Sequence, residues 1–555
     1  MKRKIFSGRF ICLLLAMTLL SSLLIACKGT PFSKDTSSDR EDRQESPDGS
    51  YLVAIEDEPD TVDFQCTTIH YTVALNVFNR LVEMKGQPGE EIEIVPSLAE
   101  SWELSEDGRS YTFHLRKDVT FSNGSALTSS DVLYTFTRLL THPESCNQDI
   151  VDDIYGASRL MAGETDRLLG FRILDDYDFV ITLEKPFGAF LSCIGMPAAS
   201  ILDEETTREA GERFGRDPSV TIGTGPFIFE SWTAGERMRL KANPDSFEGA
   251  PGSAGLDLLF LTEAEEAMQL FEDGGLDILD LDELGESAEY YIHGDIYQNR
   301  LYPVSQLGIS YIALNASVQP LYDVRVRKAL QLALNREALL DSIFSGRGRV
   351  EHGIYPYGLA GYNPDLPEIP YDPAGAVSLL KEAGYPKGFD MDVYVKASAT
   401  QWDLTLMKAV ISMWKKVGIQ ARIRVVPEET FMTLRTTGKL SCYTAAWIAD
   451  YDDPDNFIYT FFGSPEKSTY RSLCYPDRKV MDRVAKAGQI IDDGKRMEEY
   501  RNLEKKIVQE DAAWIPLFSR ERYYVVSDRL GHFQTAWNGS VKNVYKYMTI
   551  DDGGR

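Results

Sequence analysis

Between Ser105 and Leu140 the apolar pattern changes period, and that switch restricts the chain to folds that combine strands with helices. Tyr111, Phe113 and Leu115 alternate with polar neighbours, which predicts a hairpin strand with one buried face. Phe121-Ser-Asn-Gly124 supplies a turn. Thr128, three residues ahead of Asp131, then forms a capping box, with Leu127 and Val132 placed as a hydrophobic staple. A helix follows that buries Val132, Phe136, Leu139 and Leu140.

The alternation recurs downstream. Gly223-Thr-Gly-Pro-Phe227 leads into a strand ending near Trp232, and Leu240 to Pro244 closes its partner. Because this Gly-x-Gly enters a strand rather than a helix, it does not read as a phosphate-cradling loop. Tyr311 to Asn315 reads as a strand. Asp323 caps a helix whose Val326, Ala329, Leu330, Ala333 and Leu334 share one face, leaving Arg325, Arg327 and Lys328 mostly on the wet side. Asp372-Pro373 opens another helix, turned inward at Ala376, Leu379, Leu380 and Ala383 and stopped by Gly384 and Pro386. Strands alternating with helices make an α/β protein. No internal repeat is evident.

The N-terminus addresses the compartment. Lys2, Arg3, Lys4 and Arg9 precede an apolar run from Phe10 to Leu24, too short to span hydrocarbon and shaped as an export signal over residues 1–26. Leu24-Ile25-Ala26-Cys27 resembles the bacterial lipobox, so Cys27 is expected to carry the lipid and anchor the chain to the membrane. A diacylglycerol supplies the two chains that stable anchoring needs. Residues 27–50, rich in Ser, Asp, Arg, Glu and Pro, lack the apolar surface to fold and read as a flexible tether. The expected location is extracytoplasmic, at the cell surface or in the periplasm.

The rest of the chain has length for about three cores at roughly 150 residues each. Over the full sequence, 85 Asp and Glu against 58 Lys and Arg give a net charge of −27, which argues against nucleic acid and anionic lipid as partners. Beyond Cys12 and Cys27, the widely spaced Cys66, Cys146, Cys193, Cys442 and Cys474 form neither a disulfide framework nor a zinc pattern, and no metal or cofactor is expected. Asn123 and Asn538 match glycosylation acceptors by chance. His70, His114, His142, His293, His352 and His532 are scattered, with no His-Glu-x-x-His and no Gly-x-Ser-x-Gly. Ser464-Pro-Glu-Lys467 fits Ser-x-x-Lys but has no Lys-Thr-Gly partner. A secreted hydrolase is therefore the alternative from another class, and no enzyme activity is expected.

Four segments in order, Leu98 to Asp131, Gly223 to Pro244, Asp323 to Glu337 and Trp447 to Phe457, resemble the oligopeptide- and dipeptide-binding proteins of bacterial ABC importers, the extracellular solute-binding proteins of family 5. The resemblance implies an α/β, two-lobed periplasmic-binding-protein-like fold, type II and of the three-domain peptide-binding class, joined by two hinge crossovers. On that plan residues 51–83, 219–304 and 514–555 form the core of lobe one, 84–218 its accessory subdomain and 305–513 lobe two. A short peptide would lie in the cleft, and a permease and ATPase complex would receive it from a monomeric binding protein. Relatives that bind oligosaccharides, haem or nickel complexes supply the nearest alternative.

The resemblance also assigns roles. Asp450, three residues after Trp447, would pair with the ligand's α-ammonium. Tyr443 to Trp447, including Ala445 and Ala446, would pair its backbone with the extended peptide by strand addition, next to Tyr451. Thr67 and Thr68 align with a ligand-facing loop, although an ordinary polar loop fits as well. Where dipeptide-selective members place an arginine for the ligand carboxylate, this chain reads Val395-Lys-Ala-Ser-Ala399, making Lys396 the nearest cation or else a solvent-facing lysine. Some oligopeptide members place an arginine where Thr444 stands. By composition alone Asp450, Asp452, Asp453 and Asp455 read as a solvated acidic turn or a calcium loop, without the spacing of an EF-hand.

Overall fold

The computed structural model describes residues 51–551. The export signal, Cys27 and the tether lie outside them. No helix among the described residues is long and apolar enough to cross a membrane.

Two lobes of mixed α/β structure share a central six-stranded sheet. Its longest strand, Trp514–Val526, pairs over its first half with Gly308–Leu314 and over its second half with Leu301–Ser305 and Ile278–Asp280. Gly308–Leu314 pairs on its other side with Cys442–Ile448, which forms the edge. One strand thus pairs with two separate groups of strands. A second sheet sets Tyr51–Ile55 parallel to Gly255–Leu259, followed by Arg237–Ala242 and Phe227–Thr233. A third, antiparallel sheet joins Ala99–Leu104, Ser110–Leu115, Asp178–Thr182 and Phe171–Ile173.

The local expectations hold in that third layer. Tyr111, Phe113 and Leu115 are buried on one face, and the predicted helix runs Ser129–Thr141 with Val132, Phe136, Leu139 and Leu140 inside. The Thr128 amide donates to Asp131 Oδ2 at 2.8 Å, closing the capping box. Gly223 and Gly225 serve packing rather than phosphate. A methyl at Gly223 would stand 2.1 Å from the Val77 carbonyl oxygen, and one at Gly225 would stand 2.6 Å from that of Asn76.

Two helical expectations need correction. The apolar face from Val326 to Leu334 is continuous, but the helix is not: Val324–Leu332 ends and Arg336–Phe344 begins anew, with Asn335 accepting from the Ala338 amide. Arg327, placed on the wet side by periodicity, is buried with only 3% of its surface exposed. Its guanidinium donates to the carbonyls of Asp511 at 2.6 Å and Leu321 at 2.7 Å. Those carbonyls sit at chain turns, and a fork of five donors satisfies several at once.

Candidate functional site

The edge strand Cys442–Ile448 runs into a loop that the first turn of helix Asp455–Phe462 holds in place. Asn456 is the clamp. Its Oδ1 accepts from the Asp450 amide at 3.0 Å and from Trp447 Nε1 at 3.2 Å, while its Nδ2 donates to Asp450 Oδ2 at 3.0 Å. Asp450 Oδ1 has no hydrogen-bond partner among the described residues. One carboxylate oxygen is therefore fixed and the other is available.

Asp450 borders a cavity of about 980 Å³ whose walls come from two distant stretches of chain. Thr68, Tyr71, Asn147 and Asp149 contribute on one side, and Trp447, Tyr451 and Arg471 on the other. A backbone bond from the Gly188 amide to the carbonyl of Gly488, which borders the cavity, spans 2.9 Å. A second cavity of about 410 Å³, bordered by Met84, Trp102 and Arg496, contains none of the predicted site residues. The larger one is the candidate site because it holds charged groups with unused hydrogen-bonding capacity.

The Asp450 side chain is open to water-sized molecules inside the cleft, yet protein crowds it from every direction. The second property governs its charge. Crowding removes bulk water and pushes the carboxyl above its ordinary range; Asp149 adds to that rise, while the Asn456 bond and Arg471 oppose it. Such a group gains from an arriving cation.

The neighbouring aspartates are neither a solvated turn nor a cation loop. Asp453 is buried against Arg496 at 2.5 Å, and Asp455 accepts from Tyr500 at 3.0 Å and Tyr451 at 3.2 Å. Burial pushes Asp455 up to about 7. Asp452 accepts from the Ala360 amide at 2.7 Å, and burial raises it to about 6. No group of three or more His, Cys, Asp or Glu side chains among the described residues is arranged to hold a metal ion.

The structure brings some of the predicted residues together and separates others. Asp450, Trp447, Tyr451 and Thr68 border the cavity. Ala445 and Ala446 pair with Tyr311 and Ser310 within the edge strand, whose second edge carries no strand partner among the described residues. Thr67 instead closes a local turn, its hydroxyl donating to the Ile69 carbonyl at 2.7 Å, and its own carbonyl accepts from Tyr71 at 2.9 Å. Lys396 is not part of the cavity wall: it ends a strand paired with Gln420–Val426 and meets Glu428 at 3.2 Å. Asn456 escaped the sequence reading, although its place six residues after Asp450 in the Asp-Pro-Asp-Asn run was a usable signal. Tyr71, Asn147, Asp149 and Arg471 carried no such signal.

The family description of bacterial extracellular solute-binding proteins, family 5 Middle, matches residues 93–469. The dipeptide-binding protein of Escherichia coli (strain K12) is 29% identical over 470 residues, 81% of this chain and 84% of that protein. Heme-binding protein A of Haemophilus influenzae is 27% identical over 472 residues, 83% and 84% of the two chains. Among solved structures, HbpA2 from Haemophilus parasuis superposes with a TM-score of 0.74 at 26% identity, covering 90% of this chain and 99% of its own. DppA from Helicobacter pylori, in complex with the peptide STSA, gives 0.71 at 23% identity over 90% and 98%, a likeness of fold alone.

Proposed function

The chain belongs to the bacterial extracellular solute-binding proteins of family 5, and from that premise we propose that it captures short peptides by their free amino end and passes them to an ABC importer. The observation that carries this reading is Asp450, a crowded carboxylate on the cavity wall with one oxygen clamped by Asn456 and the other without a partner. An α-ammonium supplies the missing charge and donors. A neutral sugar would leave that carboxylate uncompensated, at a cost of the order of several kcal/mol in an enclosed site.

The edge strand beside Trp447 supports backbone pairing with an extended guest, which tolerates many side chains. Walls drawn from both lobes, with a hydrogen bond between Gly188 and Gly488, support capture by hinge closure. The lobe boundaries at residues 83/84, 218/219, 304/305 and 513/514 belong to this proposal. So do lipidation at Cys27, action as a monomer and a membrane-anchored location. The best peptides are expected to bind with a Kd near 1 μM, about −8 kcal/mol.

Calorimetry with a free tripeptide and its N-acetylated form tests the reading. Loss of binding on acetylation supports it, and equal binding overturns it. The likeness to heme-binding protein A favours a second reading in which the guest is not a peptide. Native mass spectrometry of co-purified ligand separates the two by mass.

A further inference from the structure

Three cations border the cavity, Lys185, Lys467 and Arg471. Arg471 is the one that lies over Trp447, whereas Lys467 lies over Tyr459. Its guanidinium carbon lies 4.6 Å from the centre of the Trp447 ring and 5.2 Å from that of Phe461. The guanidinium makes no ion pair and no hydrogen bond among the described residues, although the cavity wall is rich in carboxylates. Its backbone is tied down: the Arg471 carbonyl accepts from the Tyr443 hydroxyl at 2.7 Å, and its amide closes helix Pro465–Tyr470 on the Lys467 carbonyl.

This arrangement has a physical consequence. A guanidinium held against aromatic rings uses no N–H in a hydrogen bond to them, so its donors stay available and partly desolvated. A planar fork of donors in that state matches one common ligand group, a carboxylate taken in two parallel bonds. The protein's own carboxylates do not reach it. Asp450, which borders the same cavity, accepts from Asn456 instead.

We propose that Arg471 receives the carboxylate end of the ligand, so that the cavity selects short zwitterionic peptides held by both termini on one lobe. The inference rests on the peptide reading above and adds the second anchor and a length class. Arg471 connects to Asp450 through one indole and one amide: guanidinium to Trp447, Trp447 Nε1 to Asn456, Asn456 to Asp450. That path is no longer than about 15 Å, which an extended peptide of about two to four residues spans at 3.3–3.6 Å each. Asp450 and Arg471 are close enough that the cation already lowers the carboxyl's proton affinity. A ligand bringing both charges compensates each anchor without leaving either exposed to the other's field.

The test is calorimetry on the purified protein and its Arg471→Gln variant with Ala-Leu-Ala, its C-terminal amide and its N-acetyl form. Amidation is expected to weaken binding to the parent roughly tenfold to hundredfold, the range of a charge-assisted hydrogen bond. Arg471→Gln should lose the same factor for the free acid and change by less than roughly threefold on going to the amide. The inference is overturned if the parent holds acid and amide alike, if the variant matches the parent, or if the variant weakens both forms equally, as a purely structural arginine would. If acetylation abolishes binding while amidation is harmless, this inference fails and the amino-end reading stands. If none of the three peptides binds the parent, both fail together.

Discussion

Replacing Asp450 by Asn keeps shape and removes charge, and the structure defines what that change does. The amide's single oxygen stays with Asn456 Nδ2, the bond that Asp450 Oδ2 makes at 3.0 Å. The new NH2 group then occupies the place of the partnerless Oδ1 and would meet the proposed ligand ammonium donor to donor. Removing one partner from an enclosed charge pair costs about 3–5 kcal/mol, or two to three decades at 1.4 kcal/mol each. Titration calorimetry with a free-amine tripeptide should therefore show affinity falling by about a hundredfold to a thousandfold.

The empty protein should respond in the opposite sense. A carboxyl group whose pKa is higher folded than unfolded, as crowding and Asp149 make Asp450, costs stability at neutral pH and ceases to do so as pH falls through the folded value. Asp450→Asn should then melt no lower than the parent at pH 7. Binding to the parent should weaken as pH falls through the raised Asp450 value, while the residual binding of the variant stays flat over the same window. A variant that keeps its affinity, or that loses both affinity and melting temperature, would refute the reasoning, the second result marking Asp450 as a structural residue.

Two further outcomes follow from buried charges away from the cavity. Arg496→Met leaves Asp453 buried without its partner at 2.5 Å, so urea unfolding should show a loss of about 3–5 kcal/mol that Asp453→Asn in the same chain largely restores. Glu504 accepts from the Ile354 amide at 2.6 Å and the Tyr355 amide at 3.1 Å, and burial pushes it up to about 8. Its folded value lies above the ordinary 4.5, so its contribution to stability is full below that pH and declines as pH rises to about 8. Unfolding free energies of the parent minus those of Glu504→Gln should fall across that interval, and a flat difference would contradict the assignment.

Local patterns told truly wherever the controlling interactions join near neighbours in sequence. Tyr111, Phe113 and Leu115 needed only strand periodicity, and Thr128 with Asp131 needed only three residues of separation. Asp450 and Trp447 border one cavity because their short motif stays contiguous in space. Arg327 was misplaced because its carbonyl partner at Asp511 stands 184 residues away, beyond the reach of any periodicity.

Sequence by itself determined the α/β class and the family, since each is written in residues close along the chain. Tertiary structure alone decided that Lys396 turns to Glu428, that Asp453 is sealed against Arg496 and that Arg471 lies over Trp447 with its donors unused. The reason is physical. Whether a charge is paired, crowded or waiting for a partner depends on what folding brings within a few ångströms of it, and those neighbours come from separate stretches of the chain.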